Sequence, residues 1–90
     1  MLGAKGIAGE QMHVDAARAL IAEHLAVNLD TVQDDAAFAG DLGADSLDMV
    51  ELAMRLENEF NILIDDSESE ACVTVGHALA LLKKKVSESA

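Results

Sequence analysis

Few side chains in this 90-residue chain carry groups suited to chemistry, and Ser46 is the first to consider. It lies in the segment GADSLDMVEL, where a helix is expected to begin. A nucleophilic serine would need a base, for which His24 or His77 would have to serve, and an oxyanion hole. Because no sheet is predicted that would form a pocket around such a triad, the sequence disfavours a hydrolase. We expect the histidines to lie at helix surfaces or edges.

A metal site and a reactive thiol are the other chemistries to test. The run DDSESE offers alternating oxygens, but an EF-hand loop counted from Asp65 has Glu70 where glycine is needed and Gly76 where glutamate is needed. We therefore predict no specific metal site, while loose cation binding by the acidic residues stays open. Cys72 follows an alanine and precedes a valine, so we interpret it as a small buried hydrophobe.

The net charge of −11 is concentrated in one third of the chain. Residues 41–70 contain ten acidic side chains against one base, Arg55. This distribution argues against binding to nucleic acid or to an anionic membrane, and it favours basic protein partners, although an acidic face that only keeps the protein soluble explains it too. No apolar stretch has the length of a signal peptide or of a membrane span, so we expect a cytoplasmic protein. We also expect it to be a monomer.

Alanine and leucine dominate the apolar residues, and only two side chains are aromatic, which predicts an all-α fold. We expect a small four-helix bundle, with three main helices, one short helix and a long first loop that three apolar side chains anchor to the core. The expected segments are a flexible tail over 1–12, a helix from His13 to Asn28, the loop 28–45, a helix over 46–60 and a short helix over 66–71. A last helix begins near Thr74, which is a good N-cap. The loop anchors are Val32, Phe38 and Leu42. Residues 13–87 form the single domain.

The helix over 46–60 has apolar residues on two sides when it is drawn at about 100° per residue. One side has the spacing of a core-facing stripe and comprises Met49, Leu52, Ala53, Leu56 and Phe60. The other side comprises Leu47, Val50 and Met54 and has carboxylates around it. We interpret this second side as a docking surface for a basic partner. The alternative is a helix that is buried on both sides.

Ser46 is expected to point into solvent at the start of this helix. Asp45 is a good N-cap, and Asp48 follows three residues later, close to a capping-box arrangement. If Asp45 caps the helix, the Ser46 hydroxyl has no structural task, and the helix N-terminus beside it favours a phosphate. The alternative is that Ser46 is itself the cap.

The stretch DLGADSLDMVELAMRLENEF resembles the acyl carrier protein family, and the likeness extends from Val14 to Lys85. The resemblance implies that Ser46 receives 4′-phosphopantetheine from coenzyme A through a phosphopantetheinyl transferase, and that the thiol of this arm carries acyl groups. It also implies a recognition helix that the transferase and the acyl-transferring synthase enzymes contact through basic patches. The positions matching that helix are Asp45, Leu47, Asp48, Val50, Glu51, Met54 and Glu57.

The expected role is that of a carrier rather than an enzyme. An acidic helical interaction module without a prosthetic group, such as an inhibitor or adaptor, is the alternative, and a peptidyl carrier is a closer rival. The chain departs from the common family pattern at Asp65, where a proline is usual, at Asn61 and Leu63, and in its longer N-terminal tail. These departures leave open whether it serves general fatty-acid synthesis or one particular lipid or polyketide.

Overall fold

The computed structural model describes residues 2–89, with side chains described over 13–88, and its architecture is a bundle of four α-helices. The helices are α1 (Leu2–Leu25), α2 (Ser46–Phe60), α3 (Asp66–Ala71) and α4 (Val75–Ser89). Helix α1 packs against α2 and α4, and the short α3 bridges α2 and α4. Residues 2–89 contain no β-strand, only an isolated bridge between Ala37 and Thr74. The predicted all-α bundle of three main helices and one short helix is confirmed.

Helix α1 is longer than the sequence suggested. The prediction that it begins at His13 is wrong, because the backbone is helical from Leu2. The glycines at positions 3, 6 and 9 led to the prediction, since glycine lowers helix stability, yet each of them lies within the helix. Met1 lies outside the described residues. Whether the segment 1–12 moves independently of the domain 13–87 stays a prediction.

The apolar core lies between the helices and includes Leu52 and Leu56 of the stripe predicted for α2. Its largest fully buried side chains are Ile21, Leu52, Leu82, Val32 and Val75, so α1, α2, α4 and the first loop all contribute. Leu25, Phe60 and Val86, near the ends of α1, α2 and α4, are only partly buried and pack against this cluster. No helix within residues 2–89 has the length and apolarity needed to cross a bilayer.

The first loop is anchored as predicted but has more internal structure than expected. Val32, Phe38 and Leu42 are each buried. A single 3₁₀ turn, Leu29–Thr31, begins the loop. Arg18 of α1 then holds it, because its guanidinium donates to the Val32 carbonyl over 2.7 Å and pairs with Asp34. The loop is therefore a fixed part of the bundle.

The first loop also pairs with the link between α3 and α4. The Phe38 amide donates to the Val73 carbonyl over 3.0 Å, and the Gly76 amide donates to the Asp34 carbonyl over 2.8 Å. A Cβ atom at position 76 would lie 2.9 Å from that carbonyl oxygen, so the close approach requires glycine. These bonds join two segments that lie far apart in the sequence.

Thr74 is the N-cap of α4, as predicted. Its hydroxyl accepts from the His77 amide over 3.3 Å, and the His77 ring Nδ1 accepts from the Thr74 amide over the same distance. This reciprocal pair has the form of a capping box with histidine at the third helical position. His77 is exposed, as expected for a histidine at a helix edge.

The two apolar sides of α2 should contribute very differently to stability. Replacing Leu52, which is 1% exposed, with alanine should lower the free energy of unfolding by about 2–5 kcal/mol, because it leaves a cavity in the core. Replacing Val50, which is 54% exposed, should change it by no more than about 0.5 kcal/mol. Urea unfolding of the two variants measures both, and equal losses would contradict the one-sided burial of α2.

Candidate functional site

Ser46 is the first residue of α2, and its hydroxyl is not used by the fold. The Asp45 side chain accepts from the Asp48 amide over 2.8 Å, and the Asp48 carboxylate accepts from the Asp45 amide over 3.1 Å. This complete capping box satisfies the helix start without the serine. Ser46 is exposed, and none of the described residues forms a hydrogen bond with its hydroxyl. A hydroxyl in this setting is open to chemical modification.

The backbone before Ser46 is held in place by the core. Leu42 and Ala44 are buried on either side of Gly43, which adopts a φ of 71°. The Ala44 amide donates to the Phe38 carbonyl over 2.8 Å. Because the left-handed turn at Gly43 lets both neighbours reach the core, the loop delivers Asp45 and Ser46 to a fixed position outside it.

An apolar strip, defined here as Leu47, Val50 and Met54, runs along the outer side of α2. These side chains are 64%, 54% and 55% exposed, whereas Leu52 and Leu56 on the inner side are buried. The alternative of a helix buried on both sides is therefore wrong. Three neighbouring exposed apolar side chains on one helix are typical of a surface that another molecule covers.

Carboxylates border the strip, but they are not equivalent. Glu51 is exposed, and Asp48 is half-buried because it takes part in the capping box. Glu57 is also half-buried, and its carboxylate accepts from the Ile64 amide over 2.7 Å, which fixes the chain between α2 and α3. No pattern in the sequence indicates this structural task of Glu57. That these acids bind a partner stays a prediction.

A groove of about 420 Å³ runs from Ser46 between α2 and α3. Its lining residues are Ser46, Met49, Val50, Asp66, Ser69, Glu70 and Cys72. Met49, Ser69 and Cys72 also line a cavity of about 20 Å³ deeper between α2, α3 and α4, which has room for roughly one water molecule. The groove therefore leads from the serine to the apolar interior. No local pattern indicates that Ser69 and Asp66 lie here, because only the packing of α3 brings them beside α2.

Helix α3, the outer wall of this groove, is held mainly by polar contacts. Asp65 and Glu68 form a second capping box, and Lys85 of α4 pairs with Glu68 over 2.9 Å. The hydrogen bond from Lys85, followed by that from the Asp65 amide, lowers the pKa of the Glu68 carboxyl. The bond from the Glu68 amide, followed by that from the Ser67 hydroxyl, lowers the pKa of Asp65.

Cys72 is half-buried at the inner end of the groove, whereas the sequence predicted a buried position. Its thiol donates to the Glu68 carbonyl over 3.3 Å. Burial, and then the charge of Glu68, raises the pKa of this thiol, so the nucleophilic thiolate is disfavoured at neutral pH. The interpretation of Cys72 as a packing residue rather than a catalytic thiol agrees with this setting.

The expectation that the histidines lie at helix surfaces or edges is wrong for His24. Its side chain, on α1, is only 13% exposed and faces α2. Its Nε2 atom lies 3.9 Å from a carboxylate oxygen of Glu51, and single ligand atoms of His24, Asp48 and Glu51 all lie within 4.8 Å of one another. No motif in the sequence could reveal this group, because its members belong to two helices separated by the long loop.

Comparison with known proteins places these features in a family. A family model described as "Phosphopantetheine attachment site" matches residues 15–82. The acyl carrier protein of Sulfurovum sp. (strain NBC37-1) is 46% identical over 69 residues, which cover 77% of this chain and 92% of that protein. A solved structure of an acyl carrier protein from Enterococcus faecalis, described with respect to its high thermal stability, superposes with a TM-score of 0.73 at 29% identity. That match covers 84% of this chain and 96% of the other.

The attachment of α3 should depend on pH. The pKa values of Asp65 and Glu68 are lowered in the folded state, so their stabilising contribution is present above their unfolded pKa values, near 4, and is lost as the pH falls through the folded values. The Glu68→Gln variant should therefore lose less stability than the wild type between about pH 5 and pH 2. Glu70→Gln, an exposed site on the same helix, is the control. Parallel stability curves for the wild type and Glu68→Gln, measured by urea unfolding, would contradict this prediction.

Proposed function

Because this chain belongs to the acyl carrier protein family, we propose that Ser46 is the residue to which its 4′-phosphopantetheine arm is attached. The protein is a carrier and not a catalyst. The observation that carries the assignment of Ser46 is its exposed hydroxyl at the first position of α2, which the capping by Asp45 and Asp48 leaves unused.

The surroundings of Ser46 suit a phosphodiester. The amides in the first turn of an α-helix lack intrahelical acceptors, and the helix dipole favours negative charge there. Ser46 would place the phosphate beside this turn, with the groove leading away from it. The bound arm supplies a terminal thiol that carries acyl groups as thioesters. The part of this chain is to hold the attachment point rigid while the rest of the arm reaches into partner active sites.

The outer side of α2 is the proposed docking surface for those partners. It comprises the apolar strip with Asp45, Asp48, Glu51 and Glu57 beside it. Exposed apolar side chains supply contact area once water is excluded, and carboxylates attract a basic partner surface and orient it. The family implies synthase enzymes as partners. We propose that the synthases bind this surface through basic docking patches of their own. The phosphopantetheinyl transferase that loads the arm from coenzyme A is proposed to bind the same surface.

The groove is proposed to receive the start of the acyl group when no partner is bound. Met49 and Val50 line one wall, and Cys72 lies where the groove meets the inner cavity. Since that cavity holds about 20 Å³, α2 and α3 must separate to admit more of a chain. Ala53 and Ala78 line the inner cavity, and their small side chains are compatible with this role.

A monomer in the cytoplasm remains our expectation from the sequence and the family. The alternative of an acidic interaction module without a prosthetic group is not favoured, since the family model matched by residues 15–82 is defined by the attachment of phosphopantetheine. Fatty-acid metabolism is the area of metabolism that the family implies.

Loading of the arm tests the role of Ser46 directly. Incubation with coenzyme A and a phosphopantetheinyl transferase should add the mass of one phosphopantetheine to the wild type and nothing to Ser46→Ala. Ser69→Ala is the matched control, because Ser69 lines the same groove, and it should be loaded like the wild type. Intact-protein mass spectrometry gives the result. A mass increment on Ser46→Ala would show that the arm is attached to another residue.

Charge reversal at Glu51 tests the docking surface. Glu51→Lys should slow loading and acyl transfer at low ionic strength, because it repels a basic partner, and the difference from the wild type should shrink as salt screens the charge. Glu59→Lys makes the same change in charge at an exposed position of α2 away from the apolar strip, and it should have a smaller effect. Loading rates over a salt series measure this. Equal defects in the two variants would show that only net charge matters.

A further inference from the structure

The group formed by His24, Asp48 and Glu51 has the features of a ligand site. The His24 Nε2 atom is buried and has no hydrogen-bond partner among the described residues. The closest carboxylate oxygen, on Glu51, is 3.9 Å away, beyond hydrogen-bond range. A buried polar atom without a partner needs an explanation, and one explanation is an ion between it and the carboxylates.

We propose that His24, Asp48 and Glu51 bind a divalent transition-metal cation, of which Zn²⁺ fits best, between α1 and α2. One imidazole and two carboxylates are ligands that zinc accepts, and water would complete the tetrahedron. Mg²⁺ and Ca²⁺ prefer all-oxygen sites, so the imidazole selects against them. This site does not depend on the arm or on the carrier role.

The geometry requires only small movements to bind the ion. Ligands at about 2.1 Å from zinc lie roughly 3.4 Å apart in a tetrahedron, whereas these atoms lie within 4.8 Å of one another. The Glu51 side chain is 54% exposed and can rotate inward. Asp48 uses Oδ2 for the capping box, so Oδ1 can bind the ion while the helix cap stays intact.

Arg55 opposes the ion and gives the proposal a distinctive test. Its guanidinium lies 3.4 Å from His24 Nδ1 and is a donor only, so this contact needs the lone pair of Nδ1. Zinc bound at Nε2 would leave the ring N–H at Nδ1, where it points at Arg55. Arg55 would then turn away toward Glu23, with which it already pairs over 2.9 Å.

A cation bound at this site would change the charge of the proposed docking surface. Asp48 and Glu51 both belong to the proposed docking surface, so a bound cation would neutralise two of its carboxylates. Zinc should then weaken association with basic partners, by charge and without unfolding the bundle. This consequence rests on the proposed function, whereas the site itself does not.

The test is calorimetric titration of Zn²⁺ into the full chain carrying Ser46→Ala, so that no arm thiol can bind the metal. We expect one site, with binding at least tenfold weaker in His24→Gln, since even residues that only orient a ligand cost about tenfold or more. Arg55→Gln should bind roughly threefold more tightly or better, because a repelling charge is removed. His77→Gln, a histidine outside the group, should bind like the parent chain, and Mg²⁺ at equal concentration should not compete.

The outcomes separate a built site from general attraction to the acidic surface. No measurable binding, or binding that His24→Gln leaves unchanged, would overturn the proposal. Binding that Arg55→Gln weakens would also overturn it, because the role given to Arg55 would be wrong. Since loading of the arm is tested on Ser46 with coenzyme A, a failure here leaves the carrier role untouched, and a failure there leaves this site untouched.

Discussion

The reciprocal hydrogen bonding between Asp45 and Asp48 is the constraint on which the rest of the site depends. It begins α2 at Ser46 without using the serine. Burial of Leu52 and Leu56 then fixes the rotation of the helix about its axis, so Leu47, Val50 and Met54 must face outward. The helix cap leaves a hydroxyl free for modification, and the core-facing stripe leaves an apolar strip exposed on the other side of the same helix.

The few basic residues explain why the acidic surface keeps its charge. Arg18 binds the first loop, Arg55 pairs with Glu23 of α1, and Lys85 pairs with Glu68 of α3. An exposed pair such as Arg55–Glu23 adds little to stability. The effect of the three pairs is on position, because each joins two elements of the bundle. The carboxylates beside the strip are left to produce a negative field that reaches a partner before contact.

Features that arise within one segment could be predicted from the sequence, and features that arise between segments could not. The two sides of α2, its cap and the Thr74 cap of α4 depend on spacing over a few residues, and all were predicted. The proximity of His24 to Glu51 depends on how α1 and α2 pack, which no local pattern encodes. The pairing of the first loop with residues 73–76 is likewise a long-range result. The length of α1 was underestimated because the low helix propensity of glycine was given more weight than the neighbouring residues.

The way α3 is attached sets it apart from the other helices. It has six residues, none of them buried, and it is held by a cap at Asp65 and by Lys85 reaching from α4. The other three helices share the apolar core. Free energies of local opening follow such differences, so α3 should detach while the remaining helices stay folded. Amide hydrogens of α3 would then exchange with solvent ahead of those in α2. One side of the bundle can therefore open while the rest stays folded, and that side borders the groove.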